Sequence, residues 1–162
     1  MPTLDDIYRK FGEASEAAQL VETDLGTILL FYGVVEKGYI TPTLEVDREG
    51  ATAVLDQVNR QTFGQLLRNA KRHSEELVQI EPLLSKALEE RNRLAHSFYR
   101  QHNCRRNSEA GRAIMMGDLE AIHATLVEAM KALSLLLGMD LDTLAEQARK
   151  TRESSADAPS PR

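Results

Sequence analysis

Two long segments of the chain repeat apolar residues at an alternating spacing of four and three. In the first, residues 4–37, the unbroken stripe consists of Ile7, Phe11, Ala14, Ala18, Val21, Leu25, Ile28, Tyr32 and Val35. In the second, which Ser108 can cap, it consists of Met115, Leu119, Ile122, Leu126, Ala129, Leu133 and Leu136. This spacing is typical of a helix stripe that packs nearly parallel to other helices. The pattern therefore predicts an all-α antiparallel helical bundle.

Shorter helical segments are expected at residues 51–60, 62–72 and 82–103, with a last, less apolar helix at 140–152. Among the long and short segments together, we expect a bundle of four to five main helices. Thr62 and Gln65 fit a capping box that begins the second of the short segments, and Pro82 suits the first turn of the third. Gly38 and Gly138 are the expected stops of the two long helices.

The organisation predicted from these segments is one domain, residues 1–152, followed by a tail. Residues 153–162 contain only small, polar and charged side chains, so we expect a disordered tail. A single cysteine cannot form an internal disulfide, and the acidic N-terminus lacks the basic start of a signal peptide. The longest apolar run, residues 25–35, is too short to span a membrane. We therefore expect a cytoplasmic protein without membrane contact.

Positive charge is concentrated in one segment of an otherwise acidic chain. The formal net charge is −5, yet residues 91–112 contain six arginines and one acid, which leaves −10 for the remainder. Such a bounded basic segment favours a local anionic ligand. The alternative is a solvated arginine face that serves solubility.

One helix interrupts its own apolar pattern at Arg91. At about 100° per residue, Arg91 lies in the middle of the arc formed by Leu84, Ala87, Leu94 and Phe98. An arginine that faces a core needs an acid or an anionic ligand. One reading is structural, in which Arg91 reaches outward to Glu120 or Asp118 of a neighbouring helix. The other is that Arg91 binds an anionic ligand.

The residues around Arg91 carry the chemistry for metal-free phosphodiester cleavage. Asn92 and His96 are neighbours four residues apart, and on the predicted helix 82–103 His102 falls beneath Arg91. Arginine offers a forked donor for phosphate, while histidine exchanges a proton near neutral pH. Because one histidine cannot easily act as both base and acid, a twofold dimer that presents two histidines and two arginines is expected.

The string Arg91-Asn92-Arg93-Leu94-Ala95-His96 resembles the signature of the HEPN superfamily (higher eukaryotes and prokaryotes nucleotide-binding domains). That signature is an arginine, usually followed by a polar residue such as asparagine, and then a histidine after a gap of four to six residues, late in a bundle helix. The wider string 88–99 and the string 62–67 also resemble bacterial members. The resemblance spans nearly the whole chain.

The resemblance implies a metal-independent endoribonuclease that acts as a homodimer, in a toxin–antitoxin or antiviral-defence system. It implies that Arg91 and His96 are catalytic, with Asn92 as their positioning partner. We expect RNA to bind the neighbouring side chains Arg93, Tyr99, Arg100, His102, Arg105 and Arg106. The family also contains catalytically inactive members, so an interaction module that binds a protein or nucleotide partner is the alternative.

One departure from the family pattern concerns a tyrosine. In members paired with a nucleotidyltransferase antitoxin, a tyrosine often lies two residues after the histidine. Here that position is Phe98 and the tyrosine is Tyr99, which puts control by modification of this residue in doubt.

No cofactor or metal is expected. Glu120 and His123 form half of a carboxylate di-metal motif, but the sequence contains no second copy. His102 and Cys104 lack a second pair of ligands at zinc-binding spacing.

Overall fold

The structure of the chain, a computed structural model, describes residues 1–40 and 45–138. Within these ranges the chain forms an all-α bundle, as predicted. Its helices are α1 (Leu4–Glu36), α2 (Arg48–Asn59), α3 (Phe63–Ala70), α4 (Glu75–Gln79), α5 (Glu81–His96), α6 (Phe98–Gln101) and α7 (Glu109–Leu136). A 3-10 turn, Arg105–Asn107, precedes α7. The predicted helix 140–152, the domain end at residue 152 and the tail 153–162 lie outside the described residues.

The two long helices with the 4-3 stripe, α1 and α7, form the most extensive packing contact in the bundle. Arg112 Nε donates to the carbonyl oxygen of Pro2 at 2.8 Å, and Lys10 Nζ lies 2.9 Å from Nδ1 of His123. The residue numbers in these contacts increase together along both helices, so α1 and α7 run in the same direction. Their stripes meet in one core, formed by Ile7, Ala14, Val21, Leu25 and Ile28 with Met115, Leu119, Ile122, Leu126, Ala129 and Leu133.

The C-terminal half of α1 also buries a second face, which the stripe did not predict. A Cβ on Gly26 would lie 3.3 Å from the Val58 side chain, and one on Gly33 2.8 Å from that of Val54. These glycines let α2 pack closely and antiparallel to α1. As a result Val34 is buried, at 5 % exposure, while the predicted core residue Val35 is 47 % exposed.

Local sequence signals place most helix ends correctly. The Thr62 hydroxyl accepts from the Gln65 N–H, and the Gln65 side chain accepts from the Thr62 N–H at 2.8 Å, which confirms the capping box. Pro82 lies in the first turn of α5, as predicted. The structure adds α4, capped by Ser74, because one short turn of helix carries too little periodicity to be detected.

The predicted continuous helix 82–103 is wrong beyond residue 96. Ser97 has φ −132° and ψ −15°, which leaves helical geometry and separates α5 from α6. The turn places the Phe98 ring in the core, 5.7 Å from the ring of Phe11. No glycine or proline marks this break, so propensity alone could not detect it.

Helix α1 also meets the length and hydropathy criteria for crossing a membrane. One 18-residue window within it has a mean hydropathy of 1.3. Core helices of soluble bundles meet the same criteria, and α1 contacts α2, α3, α5 and α7. The apolar run 25–35 alone did not anticipate this result, and the cytoplasmic location stays a prediction.

Gly111 in the first turn of α7 provides a test of the packing around the 3-10 turn. A Cβ there would overlap the backbone carbonyl of Arg105. We expect Gly111→Ala to lower the free energy of unfolding by about 1–3 kcal/mol, because the backbone must shift. Gly117→Ala is the matched control on the same helix, since no heavy atom lies near its Cβ position. It should raise stability by roughly 0.5–1 kcal/mol. Equal effects of the two variants in urea unfolding would contradict the packing described.

Candidate functional site

Asp118 of α7 gathers three side chains of the basic segment into one network. The Arg93 guanidinium donates to both carboxylate oxygens, at 2.7 and 2.8 Å. Nε2 of His102 lies 2.7 Å from Oδ2 of Asp118, and Nδ1 of the same ring lies 3.1 Å from the Arg105 guanidinium. Arg93 also pairs with Glu90 at 2.8 Å. The network joins α5, the turn after α6 and α7.

The electrostatics of this network favour the charged forms of Asp118 and Arg93. Hydrogen bonds from Arg93, and then the bond with His102, hold the pKa of Asp118 below its ordinary value of 3.8, against the opposing effect of burial. The hydrogen bond with Asp118 likewise raises the pKa of Arg93. His102 is 4 % exposed, so its contact with Asp118 is shielded from water.

Two of the predicted RNA-binding residues, His102 and Arg93, make contacts within the fold. His102 was expected beneath Arg91 on a continuous helix, but the break at Ser97 turns it toward α7. Arg93 faces α7 as well, and both donors of its guanidinium fork are engaged by Asp118. Arg93 therefore stabilises the contact between α5 and α7, and His102 that between the turn after α6 and α7.

Arg91 lies apart from this network, beside an open groove between α1 and α5. The groove has a volume of about 310 Å³, and Phe11, Ser15, Gln19 and Glu22 of α1 line its other wall. The Arg91 side chain is 33 % exposed, so it is not a buried core cation. It therefore remains accessible to a ligand in the groove.

Two polar contacts hold the Arg91 guanidinium. Nη2 lies 3.3 Å from Glu22, and Nη1 donates to the Asn92 side-chain oxygen at 3.3 Å. The acid is thus on α1, whereas the structural reading named Glu120 or Asp118. Glu22 lies four residues after Ala18, at the edge of the α1 stripe. This position is the sequence feature that indicates that Glu22 faces a neighbouring helix.

His96 is the last residue of α5, and its side chain is exposed. Within residues 1–40 and 45–138, its imidazole makes no hydrogen bond. Five helical residues separate it from Arg91, which corresponds to about 7.5 Å along the helix and roughly 140° around it. A single protomer therefore directs Arg91 and His96 toward different sides of α5.

The remaining predicted RNA-binding residues lie beyond the break. Tyr99, Arg100 and Arg106 are exposed, and the Arg100 guanidinium reaches the carbonyl oxygen of His96 at 3.3 Å. Arg105 is exposed too but lies against His102. Burial against the helices raises the pKa of Tyr99.

The potential metal ligands do not cluster in the part of the chain that the structure describes. Across that part, no group of three or more His, Cys, Asp or Glu side chains is arranged to hold a metal ion. His123 lies against Lys10, and burial, followed by that positive charge, lowers its pKa. Cys104 is exposed and free.

Comparison with known proteins identifies no family or function for this site. No family model, curated protein or solved structure matches the chain.

The Asp118 network predicts a pH-dependent contribution to stability. Because the pKa of Asp118 is lowered in the folded state, its contribution is complete above the ordinary carboxyl pKa and is lost as the pH falls through the lowered value. We expect Asp118→Asn to cost about 1.5–3 kcal/mol near neutral pH, and the difference from the wild type to shrink below about pH 4.

Urea unfolding between pH 3 and pH 7 measures this difference. Glu120→Gln, on the same helix and exposed, is the control and should change stability by no more than about 0.5 kcal/mol at any pH. A cost for Asp118→Asn that stays constant down to pH 3 would contradict the network as described.

Proposed function

We propose that this chain is a metal-independent endoribonuclease of the HEPN type that acts as a homodimer. Its composite site uses Arg91, Asn92 and His96, and requires no cofactor. We further propose that it serves in the cytoplasm as a toxin or antiviral-defence effector, controlled by an antitoxin or another defence-system protein.

The observation that carries this proposal is the accessibility of Arg91. The fold engages Arg93 twice with Asp118 but leaves Arg91 a third exposed beside an open groove, with longer contacts of 3.3 Å to Glu22 and Asn92. A partly exposed ion pair held by one contact of 3.3 Å is weak, at about 0–1 kcal/mol, so a phosphate can displace the carboxylate. Asn92 keeps the guanidinium oriented when Glu22 is displaced.

The divergence of Arg91 and His96 supports a dimeric site. Since about 140° separates the two side chains around α5, one protomer does not aim both at the same phosphate. A twofold axis beside α5 brings His96 of one protomer toward Arg91 of its partner, and supplies two histidines for two proton transfers.

The reaction that fits these groups is attack of a ribose 2′-oxygen on the adjacent phosphate. One His96 removes the 2′-hydroxyl proton as the new bond between the 2′-oxygen and phosphorus forms. The bond between phosphorus and the 5′-oxygen breaks, and the second His96 protonates the leaving 5′-oxygen. Arg91 stabilises the charge that develops on the phosphate oxygens. The products carry a 2′,3′-cyclic phosphate and a 5′-hydroxyl.

A second candidate is a catalytically inactive helical-bundle module that binds a protein or nucleotide partner. The ion pair between Glu22 and Arg91 favours it, because a guanidinium that already has a carboxylate partner is less available to RNA. The two candidates differ in one measurable respect, which is turnover of RNA by the purified protein.

Substitution of the two site residues separates these candidates. In pure protein incubated with total RNA and EDTA, we expect His96→Ala to slow cleavage by about 10²- to 10⁴-fold and Arg91→Ala by about 10²- to 10³-fold. Arg91→Ala should change the free energy of unfolding by less than about 1 kcal/mol, since its ion pair is near the surface. Arg68→Ala, exposed on α3, and His73→Ala are controls that should retain wild-type cleavage.

Two outcomes would contradict the proposal. One is a folded His96→Ala protein that cuts RNA at the wild-type rate, and the other is cleavage that requires an added divalent metal. Expression in a bacterial host tests the toxin role, because the wild type should arrest growth while His96→Ala should not.

A further inference from the structure

Tyr8 and Tyr99 form an exposed aromatic surface at the end of α5. The Tyr99 ring lies 5.2 Å from the Phe11 ring at an interplanar angle of 35°, and 5.3 Å from Phe98 in an edge-on arrangement. Tyr8 precedes Phe11 by one helical turn on α1, so it lies beside the ring on which Tyr99 packs. One face of Tyr99 is thereby fixed by the core.

Both tyrosine rings retain substantial contact with solvent. Tyr8 is 51 % exposed and Tyr99 is 40 % exposed, although each is held on a helix. Arg112 Nη1 donates to the carbonyl oxygen of Arg106 at 3.2 Å and its Nε to that of Pro2 at 2.8 Å, so Arg106 lies near the start of α1. Tyr8 is near the start of the same helix, and Tyr99 packs on Phe11 one turn after Tyr8. The three residues therefore share one region of the surface.

Cationic groups border this aromatic surface on the α6 side. Arg100 follows Tyr99 directly and is exposed, and the exposed Arg106 guanidinium makes no hydrogen bond within residues 1–40 and 45–138. On α1, Asp5 lies one turn before Tyr8, and the exposed Arg9 follows Tyr8 directly and pairs with Asp6 at 2.9 Å. The two rings are therefore bordered by exposed arginines on the α6 side and by charges of both signs on α1.

We propose that Tyr8 and Tyr99 are a stacking platform for unpaired bases, with Arg100 and Arg106 binding the adjoining phosphates. This inference rests on the proposed function and adds the residues that hold the strand beside the cleavage site. Exposed tyrosine rings with neighbouring arginines are the combination that binds single-stranded nucleic acid without reading sequence.

A duplex does not fit this surface. In a paired A-form helix the base faces are covered by their neighbours, so the rings have nothing to stack against. In a single strand the bases can turn toward the tyrosines while the backbone follows the arginine side. Tyr99 is three residues after His96, so a stacked base lies next to the proposed cleavage site.

Binding to the platform does not require the 2′-hydroxyl that cleavage requires, because the platform contacts only bases and phosphates. Single-stranded DNA of the same sequence is therefore bound but not cut. It should act as a competitive inhibitor of RNA cleavage, whereas the corresponding DNA duplex should not.

The test uses the full chain carrying His96→Ala, with a fluorescently labelled 12-nucleotide RNA, the matching DNA and their blunt duplexes as probes. Fluorescence anisotropy should give tighter binding of both single strands than of either duplex. We expect Tyr8→Ala and Tyr99→Ala each to weaken single-strand binding by about 5- to 150-fold. Tyr8→Phe and Tyr99→Phe should retain affinity, because they keep the ring.

Phe31→Ala is the matched control. Phe31 is 59 % exposed on the same helix as Tyr8 but near its other end, so this substitution should leave binding unchanged. Equal affinity for single strands and duplexes, or unchanged affinity in the two alanine variants, would overturn the platform. Conversion of a dimer into a monomer by Tyr8→Ala would also overturn it, since the rings would then belong to the interface between protomers.

The platform and the proposed function can fail separately. Single-strand binding that depends on both tyrosines, in a wild-type chain that does not cut RNA, upholds the platform and overturns the nuclease. Cleavage that depends on His96, with binding indifferent to Tyr8 and Tyr99, upholds the nuclease and overturns the platform.

Discussion

The carboxylate of Asp118 is the interaction on which the arrangement of the basic segment depends. By accepting from Arg93 and His102, it joins α5 and the turn after α6 to α7. Charge-assisted bonds of this length are among the stronger ones in proteins, and the burial of His102 shields one of them from water. The break at Ser97 is the geometric consequence, because a continuous helix would carry His102 away from Asp118.

This network divides the arginines of residues 91–112 by role. Arg93 binds Asp118, and Arg112 donates to the carbonyl oxygen of Pro2, so both contribute to the fold. Arg91 remains accessible beside the groove between α1 and α5, and the exposed Arg106 lies near the start of α1. A chain with net charge −5 can thus present a positive surface where it is needed, while its other arginines hold helices together.

Periodicity and capping chemistry were sufficient to predict the all-α bundle and its two long helices, because they are local properties of the chain. The stripes of α1 and α7 and the capping box at Thr62 were all predictable. The break at Ser97 and the pairing of Arg91 with Glu22 depend on contacts between distant segments, which a helical wheel does not contain. The same limit applies to His102, whose role changes once the helix ends before it. The closeness of α2 to Gly26 and Gly33 was unpredicted for the same reason.

The central claim is that the two His96 side chains of a dimer act on one phosphate that Arg91 binds. Subunit exchange tests it most directly, with wild-type protein mixed with an excess of His96→Ala protein under conditions that exchange subunits. Nearly every wild-type subunit then lies in a mixed dimer, which keeps both Arg91 side chains but only one of the two histidines. We predict that RNA cleavage in EDTA, per wild-type subunit, falls by about 10²-fold or more, because one of the two proton transfers has lost its group. Unchanged cleavage per wild-type subunit, in a mixture whose subunits native mass spectrometry shows to have exchanged, would contradict the claim.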